Sequence, residues 1–205
     1  MTTRVKICGV TRTADAVLAA ELGAAAIGFI FWPQSRRYIA PERAAGIAAA
    51  LPPHVVTVGV FVDQDVEHMR DVAAQVPLGA IQLHGDEPVD LAGALMQPVI
   101  KAVAVTDAFS PDTVDAIPAP VTVLLDAHDP VKRGGTGRSI DWSLAAAVAA
   151  RRPVILSGGL NAANIREAIA VVRPYGVDLA SGVESAPGIK DETKLRELFD
   201  VLRTQ

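Results

Sequence analysis

Residues 5–31 read VKICGVTRTADAVLAAELGAAAIGFIF and contain one unit of strand, helix and strand. Val5–Cys8 and Ala26–Phe31 are short apolar runs, as buried strands are, while Thr13–Leu22 has the length of a helix and ends before a glycine. The turn at residues 8–12 reads CGVTR and lacks the glycine-rich fingerprint of an open, doubly wound sheet. This unit therefore favours a closed barrel.

The same alternation continues to the end of the sequence. Further apolar runs occur at Val55–Phe61, Ala80–Leu83, Val99–Val103, Val121–Leu125, Val154–Leu156 and Val177–Ala180. Each is nearly continuous in apolar residues, which is typical of parallel strands covered on both faces. The other predicted helices are Pro41–Leu51, Asp65–Gln75, Pro88–Met96, Ser143–Ala150, Ala162–Val172 and Glu192–Leu202. Eight such units predict a (β/α)8 TIM barrel that forms a single domain over residues 1–205.

One interval departs from this pattern. Between the fifth and sixth predicted strands, Pro111 and Pro118 leave room for little more than two turns, because proline breaks a helix interior. We expect a degenerate helix there.

Composition argues against several classes of function. The chain has a net charge of −4 and no cluster of Lys and Arg, and no apolar run reaches the length of a membrane span, so we expect neither a nucleic-acid nor a membrane partner. Cys8 is the only cysteine, which excludes an intramolecular disulfide and a multi-cysteine metal site. The first residues contain no basic segment followed by an apolar one, so we expect a cytoplasmic location.

Three glycine-containing loops follow the last three predicted strands. Such a barrel builds its active site at the carboxyl ends of its strands and often binds phosphate near the last two loops. Glycine lets backbone N–H groups come close to an anion, so the three loops together predict a phosphate site, although any one loop alone is better explained by a tight turn. The residues of this predicted site are Gly135, Gly158, Gly159, Ser181 and Gly182.

Cys8 and Asp126 are candidates for acid–base chemistry, because each lies at the end of a predicted strand. Asp126 follows the apolar run Val121–Leu125, and apolar surroundings favour the protonated carboxyl that a general acid needs. Their positions leave alternatives open. Asp126 could cap its own loop, and Cys8 could be buried packing.

Arg36, Arg37 and His84 are further candidates. The two arginines lie between Trp32 and Tyr38, a setting that suits bidentate binding of a carboxylate, and we expect one of them to be only a solvated surface charge. His84 could line the barrel mouth or make a supporting hydrogen bond.

Segments along essentially the whole chain resemble the phosphoribosylanthranilate isomerase family. They occur in the family's order, which makes the resemblance specific even though the glycine motifs are individually weak. The segments are KICGVT (6–11), FWPQSRRYI (31–39), VGVF (58–61), QLHG (82–85), LLD (124–126), GGTG (134–137) with DW (141–142), LSGGLN (156–161), and SGVES (181–185) with PG (187–188).

The resemblance implies an Amadori rearrangement of N-(5-phosphoribosyl)anthranilate to 1-(2-carboxyphenylamino)-1-deoxyribulose 5-phosphate in tryptophan biosynthesis, with no metal or redox cofactor. By matching positions, Cys8 is the general base, Asp126 the general acid and Arg37 the group that binds the anthranilate carboxylate. We expect a small phosphosugar as the ligand and a monomer or homodimer as the assembly.

The implied roles require an ionised thiol and a protonated carboxyl at one pH. We therefore expect the pKa of Cys8 to be lowered, by Lys6 or by positive charge that develops on the substrate. A bell-shaped pH profile would follow, with its acidic limb from Cys8 and its basic limb from Asp126.

Residues of this chain argue against three other functions. The related sugar isomerase of histidine biosynthesis shares the barrel and the phosphate loops, but its family carries Asp where this chain has Cys8. A non-catalytic phosphosugar binder would have no need for an acid and a thiol at two separate strand ends. A thiol-redox role lacks a resolving cysteine.

Overall fold

The structure of the chain is a computed structural model that describes residues 3–106, 108–127 and 141–203. The barrel strands are β1 (Arg4–Cys8), β2 (Ala26–Ile30), β3 (Val56–Phe61), β4 (Ala80–Leu83), β5 (Val99–Val105), β6 (Thr122–Ala127), β7 (Val154–Leu156) and β8 (Gly176–Leu179). They form a closed barrel in chain order, each strand parallel to the next, and β8 pairs with β1. This topology confirms the predicted (β/α)8 barrel.

Helices follow most of the strands. They are α1 (Thr13–Leu22), α2 (Pro41–Ala49), α3 (Val66–Gln75), α4 (Trp142–Ala149), α5 (Ile165–Val172) and α6 (Glu192–Arg203). A short antiparallel hairpin of β9 (Glu184–Ala186) and β10 (Ile189–Lys190) precedes α6. In the described parts of the chain, no helix is long and apolar enough to cross a membrane.

Two intervals contain a 3-10 helix where the others contain an α-helix. The degenerate helix predicted before β6 is confirmed as the 3-10 helix Pro111–Ala116. The helix predicted over Pro88–Met96 is wrong in type and extent, because this interval forms the 3-10 helix Val89–Ala94. None of its residues is fully buried and it includes Gly93, so neither packing nor propensity favours the α form there.

The apolar core has two layers. A small cluster consists only of strand residues and fills the inside of the barrel: Val58, Ala80, Ile100, Leu124 and Ile155. A larger cluster joins the outer faces of the strands to the helices. Because alternate residues of a strand share a face, Asp126 lies on the same inner face as Leu124. Asp126 is also within β6 and not directly after it, which corrects the sequence-based boundary.

Candidate active site

A cavity of about 580 Å³ lies at the carboxyl ends of the strands. Its size falls within the usual range for small-molecule sites. Four of the predicted site residues line it: Cys8, Arg37, Asp126 and Ser181. The fold therefore brings Cys8 and Ser181 to one cavity, although they are 173 positions apart in the sequence (181 − 8).

Cys8 is buried beside two lysines. Lys6 shares its face of β1, and the Lys6 Nζ lies 2.9 Å from Asp178 Oδ1 on β8. A Cβ placed on Gly28 would lie 2.8 Å from Cys8 Sγ and 3.2 Å from Lys6 Nζ, so both groups use the space beside this glycine. Lys190 Nζ donates a hydrogen bond to the backbone oxygen of Cys8 at 2.6 Å.

The expectation that the pKa of Cys8 is lowered is wrong for the protein without substrate. Burial is the largest influence and raises the pKa of the thiol; the Lys6 ammonium opposes this effect, whereas the Asp178 carboxylate adds to it. Lys6 itself remains a cation, because Asp178 and Cys8 outweigh the effect of burial and raise its pKa. The resting form of Cys8 is therefore the thiol.

Asp126 is buried on the other side of the barrel mouth. Its carboxylate Oδ2 lies 3.4 Å from His84 Nε2. His84 in turn is in contact with Gln82, whose Nε2 lies 2.8 Å from the other ring nitrogen, Nδ1. All three side chains line the cavity, so both alternatives considered for His84 apply.

Arg37 is held by a buried carboxylate. Its Nε and Nη2 donate to Glu184 Oε1 at 2.9 Å and Oε2 at 2.7 Å. Glu184 also accepts from Lys190 Nζ at 2.9 Å and from the Gly188 N–H at 3.1 Å. Burial acts to raise the pKa of Glu184, but the hydrogen bonds and charges of Arg37 and Lys190 outweigh it, so its pKa is lowered. Glu184 is therefore an anion that fixes the arginine.

Arg36 differs from Arg37 in its surroundings. Arg36 is exposed, although it contributes to the cavity wall, whereas Arg37 is largely covered. Among the described residues, no hydrogen bond uses Nη1 of Arg37, so this nitrogen retains its donors for a ligand. The geometry favours Arg37 as the cation available inside the cavity.

The loops after β7 and β8 are in contact. Gly158 and Gly159 have φ values of +93° and +65°, which side chains other than glycine rarely adopt. A Cβ on Gly182 would overlap the carbonyl oxygen of Leu160, so this position requires a residue without one. In the described parts of the chain, no hydrogen bond uses the N–H groups of Gly158 or Gly159. Gly135, the remaining predicted phosphate residue, lies outside the described residues.

A family model described as N-(5'-phosphoribosyl)anthranilate (PRA) isomerase matches residues 5–201. The chain belongs to this family. It is 48% identical over 196 residues to the N-(5'-phosphoribosyl)anthranilate isomerase of Geobacter metallireducens, covering 96% of each chain.

Solved structures of PRA isomerases share the fold of this chain. The enzyme from Thermus thermophilus has a TM-score of 0.90 and 46% identity, covering 98% of this chain and 99% of its own. A PRA isomerase in complex with reduced 1-(o-carboxyphenylamino)-1-deoxyribulose 5-phosphate has a TM-score of 0.86 and 43% identity, covering 99% and 100%. These likenesses extend over the whole barrel and its mouth.

Sequence reasoning assigned no role to Gln82, Asp178, Glu184 or Lys190, which lie in or beside this cavity. Alternation along β4 could have paired Gln82 with His84, as it pairs Lys6 with Cys8 on β1, since residues two apart share a face. No such signal exists for Glu184 and Lys190. Their contact depends on the β9–β10 hairpin, and their contacts with Arg37 and Cys8 depend on where that hairpin lies against the barrel.

Proposed function

We propose that this chain catalyses the Amadori rearrangement of N-(5-phosphoribosyl)anthranilate to 1-(2-carboxyphenylamino)-1-deoxyribulose 5-phosphate, with Cys8 as general base and Asp126 as general acid. Family membership supports the isomerase step in tryptophan biosynthesis. The observation that carries the residue assignment is that the thiol and the carboxyl line one cavity from β1 and β6, on different sides of the barrel.

The chemistry requires one proton donor and one proton acceptor. Asp126 gives a proton to the furanose ring oxygen, the ring C–O bond breaks, and the electron pair of the anilino nitrogen forms an iminium with C1. The positive charge acidifies the proton on C2, which Cys8 removes to give an enolamine. Protonation of C1 and loss of the proton from the C2 hydroxyl then complete the ketone. Because the carbon chain is oxidised at C2 and reduced at C1, the rearrangement needs no external oxidant or reductant.

The protonation state of Cys8 fits this order of events. In the free protein its pKa is raised, mainly by burial, and the thiol is protonated. The iminium brings a positive charge next to C2, and a nearby cation favours a thiolate. Lys6 already acts in the same direction. The base therefore becomes effective when ring opening has created the charge that makes C2 acidic.

Arg37 and the glycine loops supply the binding groups in this proposal. The Nη1 of Arg37 binds the anthranilate carboxylate, while the backbone around Gly158, Gly159, Ser181 and Gly182, together with Gly135, binds the phosphate. Positive φ values at two of these glycines and the contact between the two loops support this assignment. One domain over residues 1–205, as a monomer or homodimer in the cytoplasm, completes the proposal.

The test is an isomerase assay with phosphoribosylanthranilate generated in situ and turnover followed by loss of anthranilate-type fluorescence. Wild-type protein should turn over, whereas Cys8→Ser and Asp126→Asn should lose on the order of 10²-fold or more in kcat. Both variants should still bind the reduced analogue, because neither change alters the shape of the cavity. Binding without turnover by the wild type would indicate a phosphosugar-binding protein and contradict the proposal.

A further inference from the structure

Gln82, His84 and Asp126 form a row of polar side chains across the barrel mouth. Gln82 is on β4, His84 follows it, and Asp126 is on β6, with β5 between them. On β5, Ala102 packs against the inner cluster and Ala104 is paired in register with Asp126. These small side chains leave room for the imidazole to reach across β5 to the carboxylate.

The orientation of the Gln82 amide decides which ring nitrogen of a neutral His84 carries the proton. Gln82 is fully buried, and its Nε2 lies 2.8 Å from His84 Nδ1. An amide nitrogen can only donate, so Nδ1 must accept, and the proton of a neutral imidazole is then on Nε2. That nitrogen lies 3.4 Å from Asp126 Oδ2. The tautomer set by Gln82 therefore presents an N–H group to the carboxylate.

We propose that Gln82 and His84 are positioning residues, which orient Asp126 and stabilise its carboxylate once it has given its proton to the substrate. This inference rests on the proposed role of Asp126 as general acid. The N–H of His84 interacts more strongly with the carboxylate than with the neutral carboxyl. Its stabilisation therefore grows as the proton leaves, which lowers the barrier and not only the energy of the bound substrate.

The distance of 3.4 Å is longer than a normal hydrogen bond, and catalytic hydrogen bonds often tighten only when substrate is bound. Among the described residues, His84 is the only basic side chain within 4.0 Å of the Asp126 carboxylate. Strands β3 and β7 contain no titratable side chain. The remaining titratable groups that the structure describes on the neighbouring strands or the cavity wall are Lys6, Cys8, Arg36, Arg37, Lys101, Asp178 and Glu184. Lys101 is paired with Glu87.

The contact with His84 decides how the Gln82 amide is turned, because among the described residues its oxygen adds no hydrogen bond. Gln82 Oε1 is buried and has no hydrogen-bond partner in the described parts of the chain. If the amide were turned over, Oε1 would face His84 Nδ1 and demand a proton on that nitrogen. Nε2 would then carry a lone pair towards Asp126. The two orientations thus predict opposite tautomers, which makes the inference directly measurable.

The first experiment measures the His84 tautomer in the whole enzyme by ¹⁵N NMR of histidine-labelled protein. His84→Gln identifies the resonance, and His54, which is exposed and does not line the cavity, is the internal reference. The expected proton is on Nε2 in the wild type, with a mixture of tautomers in Gln82→Met and no change at His54. A proton on Nδ1, or an unchanged tautomer in Gln82→Met, would overturn the inference.

The second experiment compares kinetics of His84→Leu and His84→Gln, with His54→Leu as the matched control. The amide of Gln can donate from the place of the imidazole Nε2–H, whereas Leu cannot donate. His84→Leu should lose about tenfold in kcat, the effect of one hydrogen bond to a charged group, and His84→Gln should recover most of it. In His84→Leu, the acidic limb of kcat/KM, whose position follows the carboxyl when the thiol ionises at higher pH, should move to higher pH, because a carboxylate without its donor holds a proton more readily.

A change in KM alone, equal losses in both His84 variants, or an unmoved limb would show a merely structural role and overturn the inference. Failure of the underlying function looks different. If Asp126→Asn kept near-native kcat, the general acid would be another residue, and the positioning role would fall with it. An inactive Asp126→Asn beside a fully active His84→Leu would reject the positioning role alone.

Discussion

The two groups proposed for proton transfer lie in different surroundings on the two sides of the barrel mouth. On the side of β1 and β8, Cys8 is buried among charges of both signs: Lys6, Asp178, Glu184 and Lys190. On the side of β4 and β6, Asp126 lies on an apolar wall and faces the imidazole of His84, which is held by a neutral amide. The comparison indicates that the thiol of Cys8 depends on nearby cations to ionise. In our proposal, the carboxylate of Asp126 is stabilised instead by the N–H group of His84.

The largest expected effect separates these two sides by their pH limbs. A thiol whose pKa is raised titrates at higher pH than a carboxyl, so the productive form, with ionised Cys8 and protonated Asp126, is the minor of the two singly protonated forms. The acidic inflection of kcat/KM then lies at the lower of the two pKa values and the basic inflection at the higher one, that of the thiol. The assignment expected from the sequence stays in place, since the rise in rate with pH still requires ionised Cys8 and the fall still follows loss of the Asp126 proton.

Cys8→Ser should therefore abolish the acidic limb and Asp126→Asn the basic limb, each with a loss of about 10²–10⁴-fold in kcat. The measurement is kcat/KM across the pH range over which the protein stays folded, with circular dichroism as the control for folding. Loss of the basic limb in Cys8→Ser, with the acidic limb kept, would mean that Cys8 is not the group whose ionisation activates the enzyme.

The next effect tests the charged side through its arginine. Removing Arg37 leaves Glu184 with Lys190 and the Gly188 N–H, and it removes the cation proposed for the anthranilate carboxylate, which should weaken binding of the reduced analogue by about 2–5 kcal/mol. Arg36→Ala is the matched control, because Arg36 is exposed and should change affinity little. Calorimetric titration of both variants measures this difference. A larger loss in Arg36→Ala would reverse the assignment.

A smaller effect concerns the loops after β7 and β8, which lie between the two sides. In Gly182→Ala the new methyl group would push the loop of Leu160 away, and KM for the phosphorylated substrate should rise about tenfold, as for loss of one hydrogen bond to a charged group. Both pH limbs should stay where they are. Gly46→Ala is the control, since its Cβ would meet no atom within 4 Å. An unchanged KM in a folded Gly182→Ala protein would remove this loop contact from the phosphate site.

Sequence reasoning found the barrel because each strand is an apolar run of the right length, and it found Cys8, Arg37 and Asp126 as residues of the mouth. It could not find the surroundings that control their chemistry. The pKa of Cys8 depends on its burial and on Asp178, which is 170 positions away by the difference 178 − 8. The anchoring of Arg37 depends on Glu184 after β8. Such contacts arise only when the barrel closes.

The smallest effect on turnover is expected from Lys6→Met, which removes the cation that opposes the effect of burial on Cys8. Without it the pKa of Cys8 rises further, so the basic limb should move to higher pH by about one unit, and the fraction of enzyme in the productive form falls accordingly. The acidic limb should not move, because Lys6 belongs to the charged side alone. kcat/KM against pH measures both limbs in one series.

Lys6→Met also leaves Asp178 buried without its partner, which should lower the free energy of unfolding by about 3–5 kcal/mol. The double variant Lys6→Met/Asp178→Asn removes both charges and should recover much of that stability in urea unfolding. It should not return the basic limb fully to its wild-type position, because Asp178 contributes less to the pKa of Cys8 than Lys6 does. A basic limb at its wild-type position in Lys6→Met would show that the thiol does not depend on this cation, and the difference between the two sides would then rest on burial alone.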